Sequence, residues 1–181
     1  MTGPGACASQ ASAERHRPGD QRVMNAIRPP RGGATVGHVA ELDAVAAGAV
    51  ICLRRWCDGP AAQAQMREDF ARALGPEAGG SAMRAFEELC DLCARHGRRP
   101  LMRHHVACKC IGADEACFAN FVALASEGDR EDAMLIATIL VRADIAMCLL
   151  ARAEAFGLAL KRMSLRARPA QPPPPTAKIL H

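Results

Sequence analysis

Apolar residues recur at helical spacing through the middle of the chain. The clearest stripe lies on residues 82–96, and others begin at Phe118 and Leu135. Apolar positions three and four residues apart are typical of an amphipathic helix that buries one face. No alternating pattern of any length indicates a strand. The pattern therefore predicts an all-α fold, an irregular bundle of five to seven short helices.

Glycine, proline and capping residues divide this middle part into segments. Thr35, Ser81 and Asp114 are suitable N-caps, and Gly97 and Gly128 are suitable helix stops. The last segment is apolar along most of its length, and either forms one helix or breaks near Asp144. We predict helices over residues 35–56, 60–75, 82–96, 100–112, 114–128 and 130–162.

The composition of the two ends differs from that of the middle. Residues 1–34 are rich in Gly, Pro and Arg, and residues 164–181 contain a run of four prolines. Neither end has a periodic apolar pattern, which is typical of disorder. The sequence predicts a disordered basic tail over 1–34, a helical domain over 35–163 and a Pro-rich disordered tail over 164–181.

Soft metal ligands are concentrated in one short segment. Residues 90–117 contain five of the nine cysteines and three of the six histidines in 28 residues. Thiolate and imidazole are the ligands that zinc prefers in proteins. This segment is therefore the candidate functional site.

The predicted third and fourth helices would form an antiparallel hairpin around residues 97–100. Two cysteines three residues apart share a face of the first helix, and a histidine and a cysteine share a face of the second. The two pairs lie at similar distances from the turn, so they would face each other as a tetrahedral zinc site. The predicted metal ligands are Cys90, Cys93, His104 or His105, and Cys108.

Other ligand sets compete with this one. His96, Cys110 or Cys117 would replace one ligand as secondary candidates. An iron–sulfur cluster held by Cys90, Cys93, Cys108 and Cys110 is a weaker variant, because the spacing differs from the ferredoxin patterns.

Three functions are consistent with this concentration of cysteine and histidine. The first is a non-catalytic zinc-binding regulatory or scaffolding protein, since four protein ligands leave no open coordination position. The second is a metal-free helical adaptor whose cysteines pack in the core. The third is a thiol-based redox sensor or enzyme, because five basic residues and no acid between residues 95 and 109 favour thiolates. Motifs of nucleotide hydrolases, serine hydrolases and zinc proteases are absent.

The composition also gives expectations about the compartment and the partners of the protein. The N-terminus lacks the pattern of a secretory signal and the cysteine number is odd, which favours the cytoplasm with thiols free or metal-bound. No segment is suited to span a membrane.

The apolar run over 133–150 favours a homo-oligomer or a protein partner. Nucleic-acid binding is not favoured, because helix 82–96 carries more acids than bases. The carboxylate pairs at residues 87–88, 114–115 and 131–132 are expected to be solvated or helix-start charges.

Overall fold

The computed structural model describes residues 31–167 of the 181-residue chain. This part confirms the predicted helical bundle, and the predictions for residues 1–30 and 168–181 lie outside it. One small antiparallel sheet accompanies the helices. The elements are β1 (Thr35–His38), α1 (Ala44–Trp56), α2 (Pro60–Leu74), α3 (Pro76–His96), β2 (Cys110–Gly112), α4 (Ala113–Glu127), α5 (Arg130–Leu140) and α6 (Ala143–Ala167).

The helix predicted over residues 100–112 is wrong. Residues 97–112 instead form a non-helical segment, here called the Cys/His loop, which ends in β2. Strand β2 pairs antiparallel with β1, with Gly112 opposite Thr35 and Cys110 opposite His38. The hairpin of two helices that would have placed Cys90 and Cys93 opposite a second helix therefore does not form.

The first helix begins later and the third begins earlier than predicted. Helix α1 begins at Ala44, where the Asp43 carboxylate accepts hydrogen bonds from the N–H groups of Val45 and Ala46 at 2.8 and 2.9 Å. Helix α3 begins at Pro76, since proline at the first helical position loses no hydrogen bond there. Near the bounds of the predicted helical domain, Gly32 is buried against the folded part and α6 continues past residue 163.

The long last segment breaks into α5 and α6, one of the two predicted outcomes. Val141 lies in extended conformation and forms a bridge with Gly97. Arg142 is exposed and pairs with Asp144 at 2.9 Å. The break fixes the end of α3 against the α5–α6 junction, because the Arg142 N–H donates to the His96 carbonyl oxygen at 3.2 Å.

The core lies between α3, α6 and their neighbours. Phe86 on α3 and Phe156 on α6 are fully buried, with ring centroids 4.5 Å apart. Trp56 meets Phe86 edge-on at 5.7 Å. The stripe predicted from Leu135 is only partly buried, since Leu135 itself is 65% exposed. Within residues 31–167, no helix is long and apolar enough to cross a membrane.

An added methyl group is expected to have opposite effects on stability at two adjacent glycines of α3. A Cβ at Gly79 would lie 2.6 Å from the backbone of Phe70 and Ala71, whereas one at Gly80 would meet only the Arg84 side chain at 3.6 Å. We expect Gly80→Ala to stabilise the fold by about 0.5–1 kcal/mol and Gly79→Ala to destabilise it by about 1–3 kcal/mol. Urea unfolding followed by circular dichroism measures both. Equal stability of the two variants would contradict the close contact of α2 and α3.

Candidate metal centre

A fully buried ion pair lies beneath the Cys/His loop. Arg54 on α1 and Glu115 on α4 have side chains that are 1% and 0% exposed. The Arg54 guanidinium donates from Nε to Oε1 at 2.7 Å and from Nη2 to Oε2 at 2.8 Å. This two-point geometry is the strongest form of an arginine–carboxylate contact. It joins α1 to α4 through two residues that are 61 positions apart in the sequence.

The same guanidinium holds the backbone of the cysteine segment. Nη1 of Arg54 donates to the carbonyl oxygens of Cys108 at 2.6 Å and His105 at 3.4 Å. Nη2 also donates to the carbonyl oxygen of Cys110 at 2.7 Å. All five N–H bonds of the arginine side chain are thereby used. The positions of Cys108 and Cys110 therefore depend on a residue of α1.

Glu115 anchors the loop from the other side. Its carboxylate accepts the backbone N–H groups of His104 and Gly112, both at 2.9 Å. Burial alone would raise the pKa of Glu115, but the hydrogen bonds from Arg54, Gly112 and His104 outweigh it and hold that pKa below its usual value. Glu115 is therefore an anion that stabilises the loop.

The neighbouring carboxylate organises the start of the loop. Asp114 is 3% exposed, pairs with both terminal nitrogens of Arg99 and accepts the Met102 N–H at 2.8 Å. Burial opposes its charge, but these donors hold the pKa of Asp114 below its usual value. A side chain at Gly32 would collide with this carboxylate. The expectation that residues 114 and 115 are solvated is therefore wrong, although both do lie in the first turn of α4.

His104 is oriented by its two ring nitrogens. Nε2 lies 3.0 Å from the carbonyl oxygen of Gly33. A carbonyl only accepts, so Nε2 carries a proton, and in the neutral ring Nδ1 then has a free lone pair. Nδ1 lies 3.5 Å from Sγ of Cys110 and 3.4 Å from Oε2 of Glu115. A backbone carbonyl on one nitrogen is the usual support for a histidine that binds metal through the other.

Three soft ligands meet at the end of the loop. Nδ1 or Nε2 of His104 and the sulfurs of Cys108 and Cys110 lie within 4.8 Å of one another. Within residues 31–167 this is the one group of three or more His, Cys, Asp or Glu residues at such spacing. The two sulfurs are joined in a disulfide across a Cα–Cα distance of 5.5 Å. The expectation that the thiols are free or metal-bound is therefore not met at this pair.

The structure separates Cys90 and Cys93 from this group. Both lie on α3, with Cys93 buried and Cys90 half-buried. Burial raises the pKa of Cys93 to about 12 and raises that of Cys90 well above its usual value. Neither residue has a metal-binding group of the required spacing around it. Both side chains pack against or within the core.

The remaining candidates take other places. His105 is exposed, and its Nδ1 accepts the N–H of Ala107 at 3.2 Å in a turn. His96 ends α3, and half-buried Cys117 lies on α4 with a pKa raised chiefly by burial. The structure thus brings His104, and not His105, together with Cys108 and Cys110.

Arg54 and Glu115 are the organising residues that sequence reasoning missed. A signal was present for Arg54, because it follows Ala46 and Val50 at four-residue steps along the buried face of α1. A charged residue on an apolar face requires a partner. No comparable signal identified Glu115 as that partner.

Comparison of the chain with protein families, with curated proteins and with solved structures finds no significant match.

Proposed function

We propose that the chain is a zinc-binding protein with a regulatory or scaffolding role, whose metal ligands are His104, Cys108 and Cys110. The observation that supports this most strongly is the convergence of one imidazole and two sulfurs within 4.8 Å. Zinc binds cysteine sulfur at about 2.3 Å and histidine nitrogen at about 2.0–2.1 Å. The two sulfurs are bonded to each other in the disulfide, so they would have to be reduced and move apart to bind one ion, whereas Nδ1 of His104 already lies 3.5 Å from Sγ of Cys110.

The surroundings of the group support a cation. When the disulfide is reduced, two thiolates and one imidazole would balance the charge of Zn²⁺. The Arg54 guanidinium fixes the carbonyl groups of both cysteines, and Glu115 fixes the backbone of His104. Such outer contacts hold ligands in place for a metal. An iron–sulfur cluster is less well supported, because it requires more thiolates than this group contains.

Three protein donors leave the fourth zinc position open, and a regulatory or scaffolding role requires that a donor from a partner fill it, because three protein ligands and a water are typical of a catalytic zinc site. This differs from the closed four-ligand site predicted from the sequence. The basic side chains of Arg98, Arg103 and Lys109 are exposed on the same loop. An acidic surface of a partner protein would complement them. The proposal places the protein in a reducing compartment such as the cytoplasm, where Cys108 and Cys110 are thiols.

Zinc titration of the reduced, full-length chain tests this proposal. We expect one zinc ion per chain, and a thiolate-to-metal charge-transfer band when Co²⁺ replaces zinc. Thiol labelling followed by peptide mapping should show Cys108 and Cys110 protected by zinc, with Cys57 and Cys148, which are exposed, labelled throughout. Absence of stoichiometric zinc would reject the proposal, and protection of Cys90 and Cys93 that appears only when zinc is added would move the site to α3.

A second function, thiol-based redox sensing, is favoured by the disulfide between Cys108 and Cys110. A peroxide would supply the oxidant: two thiols and one H₂O₂ give one disulfide and two waters, and the two electrons pass from sulfur to oxygen. The two functions use the same sulfurs. A reduced chain that binds no zinc, but forms this disulfide with peroxide, would favour redox sensing. A chain that does neither would favour the metal-free adaptor.

A further inference from the structure

A cavity of about 560 Å³ opens between α1, α3 and the first half of the Cys/His loop. Its volume is within the roughly 300–1,000 Å³ of small-molecule sites. Most of its lining is apolar or weakly polar, and includes Leu53, Trp56, Cys90, Leu101 and Phe118. These side chains would bury an apolar molecule without leaving a polar group unpaired.

Both acidic side chains at the cavity are paired with an arginine on the surface. Glu87 pairs with Arg67 at 2.6 Å, and Asp91 pairs with Arg95 at 2.8 Å. Both acids are therefore neutralised from the surface.

Two arginines also line the cavity, and they differ in whether an acidic side chain pairs with them. Arg99 is paired with Asp114. Arg103 makes no ion pair with any residue between 31 and 167, and its Nη2 donates only a 3.3 Å hydrogen bond to the Cys57 carbonyl oxygen. The net charge available to a ligand is therefore positive, at Arg103.

We propose that this cavity binds a small amphipathic anion, an apolar molecule that carries one carboxylate. Its apolar body would lie against Trp56, Leu53 and Leu101, and its carboxylate would accept from the Arg103 guanidinium. Binding is non-covalent, because an alkyl chain with a carboxylate offers no electrophile to the thiols of Cys57, Cys90 and Cys93 in the lining. The site is separate from the proposed zinc ligands, although both belong partly to the same loop.

The single tryptophan reports on this site, because Trp56 is the only tryptophan in the chain and lines the cavity. The full-length chain is titrated with decanoate and, separately, with decan-1-ol, and Trp56 fluorescence is followed. We expect saturable changes with both, and about tenfold tighter binding of decanoate, since a hydrogen bond to a charged group is worth this factor. Equal affinities would overturn the anion assignment, and no saturable change would overturn the site.

Substitutions locate the binding. Ala94 lines the cavity from an exposed position on α3, so Ala94→Phe or Ala94→Leu should block it without disturbing the core. Ala151→Phe, at an exposed position of α6, is the matched control. We expect at least about a tenfold loss of decanoate affinity in both Ala94 variants and none in the control.

The head group is tested by Arg103→Gln, which should remove the preference for decanoate over decan-1-ol. Circular dichroism verifies that each variant is folded. Binding that survives both Ala94 variants, or a preference that survives Arg103→Gln, would overturn the proposal. Measured zinc content in the same samples keeps this outcome distinct from a failure of the metal site.

Discussion

Replacing Arg54 by methionine will destabilise the fold by about 3–5 kcal/mol, which is the cost of removing one partner from a buried ion pair. The variant leaves the Glu115 carboxylate without a cation in a position that is 0% exposed. It also removes the donors to the carbonyl oxygens of His105, Cys108 and Cys110. We therefore expect the Cys/His loop to lose its structure before the helices do.

An exposed pair provides the matched control. Arg152 and Glu88 lie 2.7 Å apart with side chains 49% and 52% exposed. Arg152→Met should cost no more than about 1 kcal/mol, because solvent screens such pairs. Urea unfolding of both variants measures the difference. A similar small loss in Arg54→Met would show that the buried pair does not stabilise the fold.

The pH dependence of this effect has a defined sign. The pKa of Glu115 is lowered in the folded chain, so its contribution to stability is present above the unfolded pKa of about 4.3 and is lost as the pH falls through the lowered value. In Arg54→Met the carboxylate lacks its cation and burial disfavours the charge. The variant's carboxyl therefore protonates at a higher pH than that of the wild type, and the stability difference between wild type and Arg54→Met should narrow as the pH falls from above about 4.3 through the lowered wild-type value. A constant difference would mean that packing, and not charge, accounts for the loss.

The helices were predictable because their signals are local. The stripe over residues 82–96 and the stops at Gly97 and Gly128 are visible within a few residues of each helix. The Cys/His loop was not predictable, since Pro100 and a short apolar run resemble a helix start. What decides its conformation is a set of long-range donors and acceptors, above all Arg54 and Glu115, which are 61 residues apart. Spacing along the chain contains no information on that contact.

The sequence indicates the region that contains the candidate metal centre, but not which of its residues lie together. Density of cysteine and histidine identified residues 90–117, yet the choice among them assumed two facing helices. Cys110 lies in β2, and Cys108 lies just before it in the non-helical loop. In this chain conformation, residues two apart bring their sulfurs together, which two residues on a helix do not do. The separation of His104 from His105 likewise required the contact of one ring with Gly33.

His104→Gln will lower the zinc affinity of the reduced chain by at least about 100-fold. Even the outer contacts of a metal site typically cost 10–100-fold when lost, and this substitution removes a proposed ligand. The adjacent His105→Gln should change the affinity by less than about threefold, since its ring is exposed and only closes a turn with Ala107. The pair differs by one position in the same loop, so composition and charge are matched.

Competition of each reduced variant with a chromophoric zinc chelator measures these affinities, with Cys110→Ser and Cys117→Ser as a second matched pair. Cys110→Ser should abolish tight binding, whereas Cys117→Ser on α4 should retain it. Loss in His105→Gln equal to that in His104→Gln would mean that the turn, and not the Nδ1 of His104, determines binding. Full zinc affinity in His104→Gln and Cys110→Ser would make the cysteines of α3 the leading candidates for the metal ligands. Because His104→Gln and Cys110→Ser each remove a donor from the 4.8 Å group, and His105→Gln and Cys117→Ser remove none, a site built from His104, Cys108 and Cys110 predicts loss in one member of each pair and retention in the other.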